Sequence, residues 1–292
     1  MNQTTTSSWR GYLELTKPGV QALLFVSCIS GMLIGSKFSP PLSIFIFGLL
    51  GISFLAASAA VINHIFDSEI DAKMNRTASR PLVKGSITEF SASVFAAALY
   101  VSGSLMLLIY VNALTWILTS LTFIFYAFIY TRYLKFMTSQ NIVIGGLAGA
   151  MPPLLGWTAV SNTIEPNAWL LVLIVMVWTP PHFWALAVYR VDDYSEAAVP
   201  MLPVQKGIAF TKQHIVLYTL LLLASTMLPY AVGMFQELYL VVALILGLGF
   251  LYFSIKLYRD DTNASAMQTF AYSISYLAAL FGAMLVDQYL YL

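Results

Sequence analysis

The sequence predicts an all-α, polytopic membrane protein, a bundle of about nine transmembrane helices. Three observations predict it. Of the 292 residues, 59% are hydrophobic and only 9% are charged, against roughly 25% charged in a soluble domain. The mean hydropathy of +0.80 is more than one aqueous core could hide. Finally, the basic residues fall in alternate connections between apolar runs, as the positive-inside rule requires of a chain that crosses a bilayer repeatedly.

The runs long enough to span, judged against the ~20-residue requirement, are residues 20–35, 42–62, 91–110, 114–130, 141–160, 168–188, 214–235, 238–257 and 270–290. The first is the shortest. Residues 1–12 form a polar amino-terminal tail without a signal-peptide cleavage pattern, so the first span is expected to stay in the protein. The remainder reads as one transmembrane domain over the whole chain, 1–292. Pro152 and Pro153, with Gly145, Gly146, Gly149 and Gly156, predict close packing or a kink in the fifth span. Trp and Tyr at the run ends fit an interfacial belt.

The charge asymmetry sets an orientation. Arg10 and Lys17 precede the first span, and Lys73, Arg76, Arg80 and Lys84 follow the second. Arg132 and Lys135 follow the fourth, Arg190, Lys206 and Lys212 the sixth, and Lys256 and Arg259 the eighth. The other side holds Lys37 with Glu165, Glu237 and Asp287. The amino terminus and the charged loops are therefore expected in the cytoplasm of a bacterial-type cell, the protein in its cytoplasmic membrane, and the carboxyl terminus outside. No basic stripe resembles a nucleic-acid footprint, so no nucleic-acid partner is expected; the lipid bilayer is. The single cysteine, Cys28, excludes an intrachain disulfide.

The chemistry concentrates after the second span, in N-H-I-F-D-S-E-I-D-A-K-M-N-R-T-A-S-R-P, residues 63–81. Asn63, Asp67 and Asp71 are spaced four apart, which puts them on one slowly drifting helical stripe. An amide and two carboxylates offer only hard oxygen ligands, the set that suits Mg²⁺ shared with substrate phosphates. Arg76 and Arg80 continue the spacing, and Pro81 stops the helix. Arginine forks match phosphate oxygens. A polar cap needs one such residue, not three at regular spacing followed by two arginines. The stripe thus predicts a site for a magnesium diphosphate at the mouth of a membrane helix.

A second charged loop follows the sixth span. Asp192 and Asp193 can join the same metal from the opposite side or stand as solvated loop acids. Acidic ends four helices apart also suggest a parallel internal repeat. His182 lies just after Pro180 and Pro181. It is a candidate substrate ligand, heme-iron ligand or base, or else half of an interhelical hydrogen bond. His64 points off the stripe and reads as structural, His214 as interfacial, and Lys84 as a topology charge.

A diphosphate carried on a long apolar chain would fit such a mouth. Its head would meet metal and arginine, and loss of diphosphate from an allylic carbon would leave a carbocation shielded from water by aromatic rings. Composition and spacing do not identify the acceptor.

The stretch N-H-I-F-D-S-E-I-D with R-T-A-S-R-P resembles the first aspartate-rich motif of the intramembrane aromatic prenyltransferases, the UbiA superfamily. Further matches are L-T-K-P (15–18), Y-T-R-Y-L-K (130–135), N-I-V-I-G-G-L-A-G-A-M-P-P-L-L-G-W (141–157), T-P-P-H-F-W-A-L-A (179–187), D-D-Y and V-P-M-L-P. They make the chain similar to the heme-modifying branch, over nearly its whole length. The resemblance implies a nine-helix bundle around a central cavity open near the cytoplasmic face. It implies Mg²⁺ as cofactor, farnesyl diphosphate and heme B as substrates, and transfer of the farnesyl group to the heme 2-vinyl group, giving heme O. A heme A synthase or an oxidase-assembly protein is the implied partner. By motif position, Asn63, Asp67 and Asp71 would hold metal and diphosphate, and Arg76, Arg80 and Lys135 would contact the diphosphate. Asp192 and Asp193 would complete a second metal motif. That motif departs from the D-x-x-x-D of many members, because Tyr189 stands at its first position. Tyr189, Arg190 and His182 are then candidates for contacts with heme. Three readings compete: a prenyltransferase for a quinone precursor, a heme-binding assembly factor without catalysis, which gives no reason for the acidic stripe, and a transporter using Asp67 and Asp71 as proton or cation sites. A transporter would keep its acids near mid-membrane, whereas these sit at helix mouths.

Overall fold

The computed structural model describes residues 9–74 and 77–292. Among them, nine helices are long and apolar enough to cross a membrane, and the protein is a multi-pass integral membrane protein. A seven-residue helix, α1 (Trp9–Leu15), occupies part of the expected tail and buries Leu15. Span one is α2 (Pro18–Gly35), opened by Pro18 in the first turn, where a missing N–H costs nothing.

Span two is α3 (Leu42–Asp71), 30 residues long. At 1.5 Å per residue it reaches roughly 45 Å, well beyond the about 30 Å of bilayer hydrocarbon. Its hydropathy ends near residue 62, but its hydrogen bonding continues through the acidic stripe, so the stripe emerges at the interface on a rigid support. Span three, α4 (Glu89–Tyr110), is capped by the Thr88 hydroxyl, which accepts from the Ser91 N–H.

Span four (Ala113–Met137) joins α5 (Ala113–Ile124), a π-helical stretch (Phe125–Leu134) and one turn, α6 (Lys135–Met137). Asn112 caps α5 and also donates to the carbonyls of Thr158 and Ala159. Span five breaks at Met151 into α7 (Asn141–Ala150) and α8 (Pro152–Ser161). The break is where Pro152 and Pro153 remove two helical donors. Span six, α9 (Pro166–Tyr189), remains helical through Pro180 and Pro181.

Two short helices follow, α10 (Val191–Glu196) and α11 (Leu202–Lys206). Spans seven to nine are α12 (Ile208–Ala231), α13 (Glu237–Arg259) and α14 (Ala266–Leu290). Lys212, on α12, donates to the Asp260 carbonyl in the α13–α14 loop. The Asp260 carboxylate accepts from Ser265 and Thr262, and these bonds hold its carboxyl below the usual carboxylate range.

The centre of the bundle is α7–α8 and α9, each 67% buried over its apolar window, against 28% for α4 and α13, which face lipid. At the α2–α8 crossing the two backbones approach closely. A Cβ on Gly31 would stand 2.0 Å from the Pro153 carbonyl oxygen, and one on Gly156 2.1 Å from that of Cys28. Only glycine lets the backbones meet there.

Successive spans alternate in direction. The carboxyl ends of α3, α6, α9 and α13 therefore gather with the amino ends of α2, α4, α7, α12 and α14 on one face. The two acidic segments, at the end of α3 and after α9, lie on that same face.

Candidate functional site

Asn63, Asp67 and Asp71 lie on the last turns of α3, 3%, 5% and 5% exposed. Burying two carboxylates is costly unless each is paired, and each is. Lys135, on α6, meets the Asp67 carboxylate at 2.8 Å. Arg80 donates to the Asp71 carboxylate. Lys17, between α1 and α2, donates to the Asn63 side-chain oxygen, while the Asn63 amide donates to the Thr131 hydroxyl at 3.0 Å. Asp71 also anchors the loop that carries Arg80, because its carbonyl accepts from the Thr77 hydroxyl at 2.9 Å.

All these residues except Thr77 and Thr131 line a single pocket of about 130 Å³, with Tyr126, Tyr130, Asn141, Phe183, Tyr194 and Met201 among its other walls. That is less than the roughly 300–1,000 Å³ of a site holding a drug-sized ligand. The pocket is a polar mouth with an aromatic wall. The donor set fits a divalent cation: hard oxygens converge on one cavity, and ammonium and guanidinium groups sit against them as stand-ins for an ion.

The π-helical stretch shapes the aromatic wall. Its wider register lets the Thr131 hydroxyl donate to the Tyr126 carbonyl, five residues back. It stacks Tyr126 on Tyr130, ring centroids 5.6 Å apart and 13° from parallel, and delivers Lys135 to the same cavity. Such π segments recur at functional sites. Gly145 makes room for this wall, since a Cβ there would lie 2.3 Å from the Tyr130 ring.

The other expected residues are placed differently. Arg76 lies outside the described residues. Asp192 and Asp193 stand on α10, Asp192 exposed and Asp193 facing Arg190 at 3.6 Å. Neither lines the pocket, although Tyr194 beside them does. No group of three or more His, Cys, Asp or Glu side chains forms a metal cluster among the described residues. Tyr189 is 48% exposed, with the Arg190 guanidinium 5.1 Å from its ring centre.

His182 sits between the rings of Trp178 and Phe270, 4.2 and 4.5 Å away, with Nδ1 2.6 Å from the Ser273 hydroxyl. Trp178 donates to the Ser273 carbonyl at 2.8 Å. The interhelical hydrogen bond is thus present, joining α9 to α14 one residue from the pocket-lining Phe183.

Lys17, Tyr126, Tyr130, Asn141 and Phe183 were not among the expected site residues. All but Tyr126 stand in a recognisable segment (L-T-K-P, Y-T-R-Y-L-K and N-I-V-I among them), but only the folded chain shows which side chains turn inward.

Residues 24–281 match the model of the UbiA prenyltransferase family. The chain is 52% identical over 284 residues to the protoheme IX farnesyltransferase of Saccharophagus degradans, covering 97% of this chain and 94% of that one. It is 53% identical to that of Alcanivorax borkumensis, with the same coverage. Among solved structures, a digeranylgeranylglyceryl phosphate synthase shares the fold with a TM-score of 0.80 at 22% identity, covering 96% of this chain and 98% of that one. A UbiA homologue from Archaeoglobus fulgidus bound to DMAPP and Mg²⁺ does so with a TM-score of 0.69 at 16% identity, over 94% and 98% of the two chains.

Proposed function

The chain belongs to the UbiA prenyltransferase family, and from that premise we propose that it transfers the farnesyl group of farnesyl diphosphate to the 2-vinyl group of heme B, giving heme O. The observation that carries this reading is the buried stripe of Asn63, Asp67 and Asp71 facing one pocket with Arg80 and Lys135. Near half-and-half identity to relatives named protoheme IX farnesyltransferase, over 97% of the chain, supports heme as acceptor over a quinone precursor, and supports transfer over transport.

Asn63, Asp67 and Asp71 would hold Mg²⁺. Once bound, the ion would offset charge developing on the departing diphosphate. Lys135, Arg80 and Lys17 take the phosphate oxygens, with Arg76 joining them by its place in the motif. Arg80 presents a fork to two oxygens, the lysines point charges. The C–O bond to diphosphate breaks with its electron pair going to the leaving group. The allylic cation left behind faces the rings of Tyr126, Tyr130 and Phe183, whose π faces favour it and whose bulk excludes water. The vinyl π pair then forms the new carbon–carbon bond. The cation this leaves next to the porphyrin captures water, which gives up a proton and leaves the hydroxyl.

Asp192 and Asp193, on α10, would complete the second metal motif. His182, Tyr189 and Arg190 would contact the heme, Arg190 at a propionate. The farnesyl tail would extend below the mouth into a central cavity between the helices. The one-sided distribution of Lys and Arg supports a mouth and amino terminus in the cytoplasm and a carboxyl terminus outside. The product leaves into the bilayer, where a heme A synthase or oxidase-assembly protein would receive it.

The test is an acceptor competition. Purified protein is given farnesyl diphosphate and Mg²⁺ with heme B and 4-hydroxybenzoate together. Farnesylated heme alone is expected; farnesylated benzoate in its place would overturn the assignment.

A further inference from the structure

The mouth also indicates how it fills, an inference that rests on its being a diphosphate site. Among the described residues, each member of the stripe is engaged by one cation, and the three cations come from three separate elements. Asn63 accepts from Lys17 in the α1–α2 joint, Asp67 meets Lys135 at the end of the π stretch, and Asp71 accepts from Arg80 in the following loop. Lys17 reaches in from a left-handed backbone, φ 54° and ψ 61°, a conformation that residues other than glycine seldom adopt. The stripe is buried, so water does little to screen these contacts.

The charge balance then discriminates among ligands. Among the described residues lining the pocket, three cations face two carboxylates, an excess of one positive charge. A divalent ion alone must displace the resident cations and would raise that excess to three. A prenyl diphosphate alone, with about three negative charges when fully ionised, would sit against the carboxylates without relieving them. The two together carry a net charge of about −1, which cancels the excess on these five side chains.

We propose that Lys17, Lys135 and Arg80 are exchangeable placeholders, so that metal and diphosphate enter as one unit. In the exchange each cation leaves its oxygen on the stripe for an oxygen of the phosphate, as the metal takes the oxygens vacated. Resident cations suppress binding of metal alone, and each positively charged side chain has an oxygen partner at either end of the swap. The coupling is reciprocal, so diphosphate tightens metal binding by the factor that metal tightens diphosphate.

The test is metal binding to the full chain in lipid nanodiscs, by equilibrium dialysis of Mn²⁺ with and without inorganic diphosphate. In the wild-type protein, diphosphate should tighten Mn²⁺ retention roughly 5- to 150-fold, the usual range of such couplings. Lys135→Met and Lys17→Met, on different elements, should each bind Mn²⁺ alone several-fold more tightly than wild type while losing most of the diphosphate enhancement. A purely structural role for either lysine would not strengthen metal binding. Using both variants, each checked by its melting temperature, keeps the test independent of either one's folding. The proposal fails if wild-type protein holds Mn²⁺ as well without diphosphate as with it. It fails equally if neither variant gains affinity for Mn²⁺ alone. If wild-type protein retains no Mn²⁺ even with diphosphate, the underlying reading of the site falls as well.

Discussion

Two buried acidic regions at opposite ends of the bundle are satisfied in different ways. Asp287, fully buried near the end of α14, accepts from the backbone N–H groups of Gln236 and Tyr239 at 2.7 and 2.9 Å. It caps the start of α13 from a neighbouring helix, and its partners cannot leave without unwinding that helix. Asp67 and Asp71, at the other face, are held by the ends of flexible side chains and border a pocket. Backbone partners fix an acid in a structural role. Side-chain cations leave it able to change partner, and that is what a metal–diphosphate site needs.

The sharpest way to break the comparison is to neutralise the mouth. Asp67→Asn and Asp71→Asn should each lower farnesyl transfer by about three orders of magnitude, on the scale of removing one electrostatic stabiliser of a transition state. Their melting temperatures should stay near wild type. Turnover by either variant within tenfold of wild type would put the two acidic regions in the same class.

Asp287→Ala should do the reverse. It strands two backbone donors, each costing about 1–3 kcal/mol, so stability should fall measurably in a denaturation assay. Turnover per folded molecule should hold. A smaller loss of stability, about 1–3 kcal/mol from overpacking, is expected for Gly156→Ala, whose new methyl meets the Cys28 carbonyl; unchanged stability would mean that α2 and α8 can separate without cost. Lys84→Ala bounds the scale from below. Lys84 is exposed and does not line the pocket, so both turnover and stability should stay within error of wild type.

Much of this organisation is legible in the sequence, because a bilayer allows few solutions. Each backbone group inside it must be paired within its own segment, so apolar length alone locates nine spans. The ends are less legible. The second run stops near residue 62 as an apolar segment, but α3 continues to Asp71, since hydropathy reports lipid contact and the helix follows hydrogen bonds. The acidic stripe is readable through its four-residue spacing. Its counter-ions are not: Lys17 meets Asn63 across 46 positions, a contact set by how α2 and α3 pack. The π register of Phe125–Leu134 leaves no periodic signature, so Tyr126 and Tyr130 are hidden as site residues. The placement of the loop acids is not legible in the sequence either. Asp192 and Asp193 carry the right chemistry, yet α10 leaves one in solvent and turns the other toward Arg190.

The most direct test incubates purified protein with heme B and farnesyl diphosphate, with Mg²⁺ or with full chelation, and follows heme by mass spectrometry. The account predicts that heme gains a hydroxyethylfarnesyl chain only when the metal is present. Farnesylated heme at an undiminished rate under full chelation would contradict it.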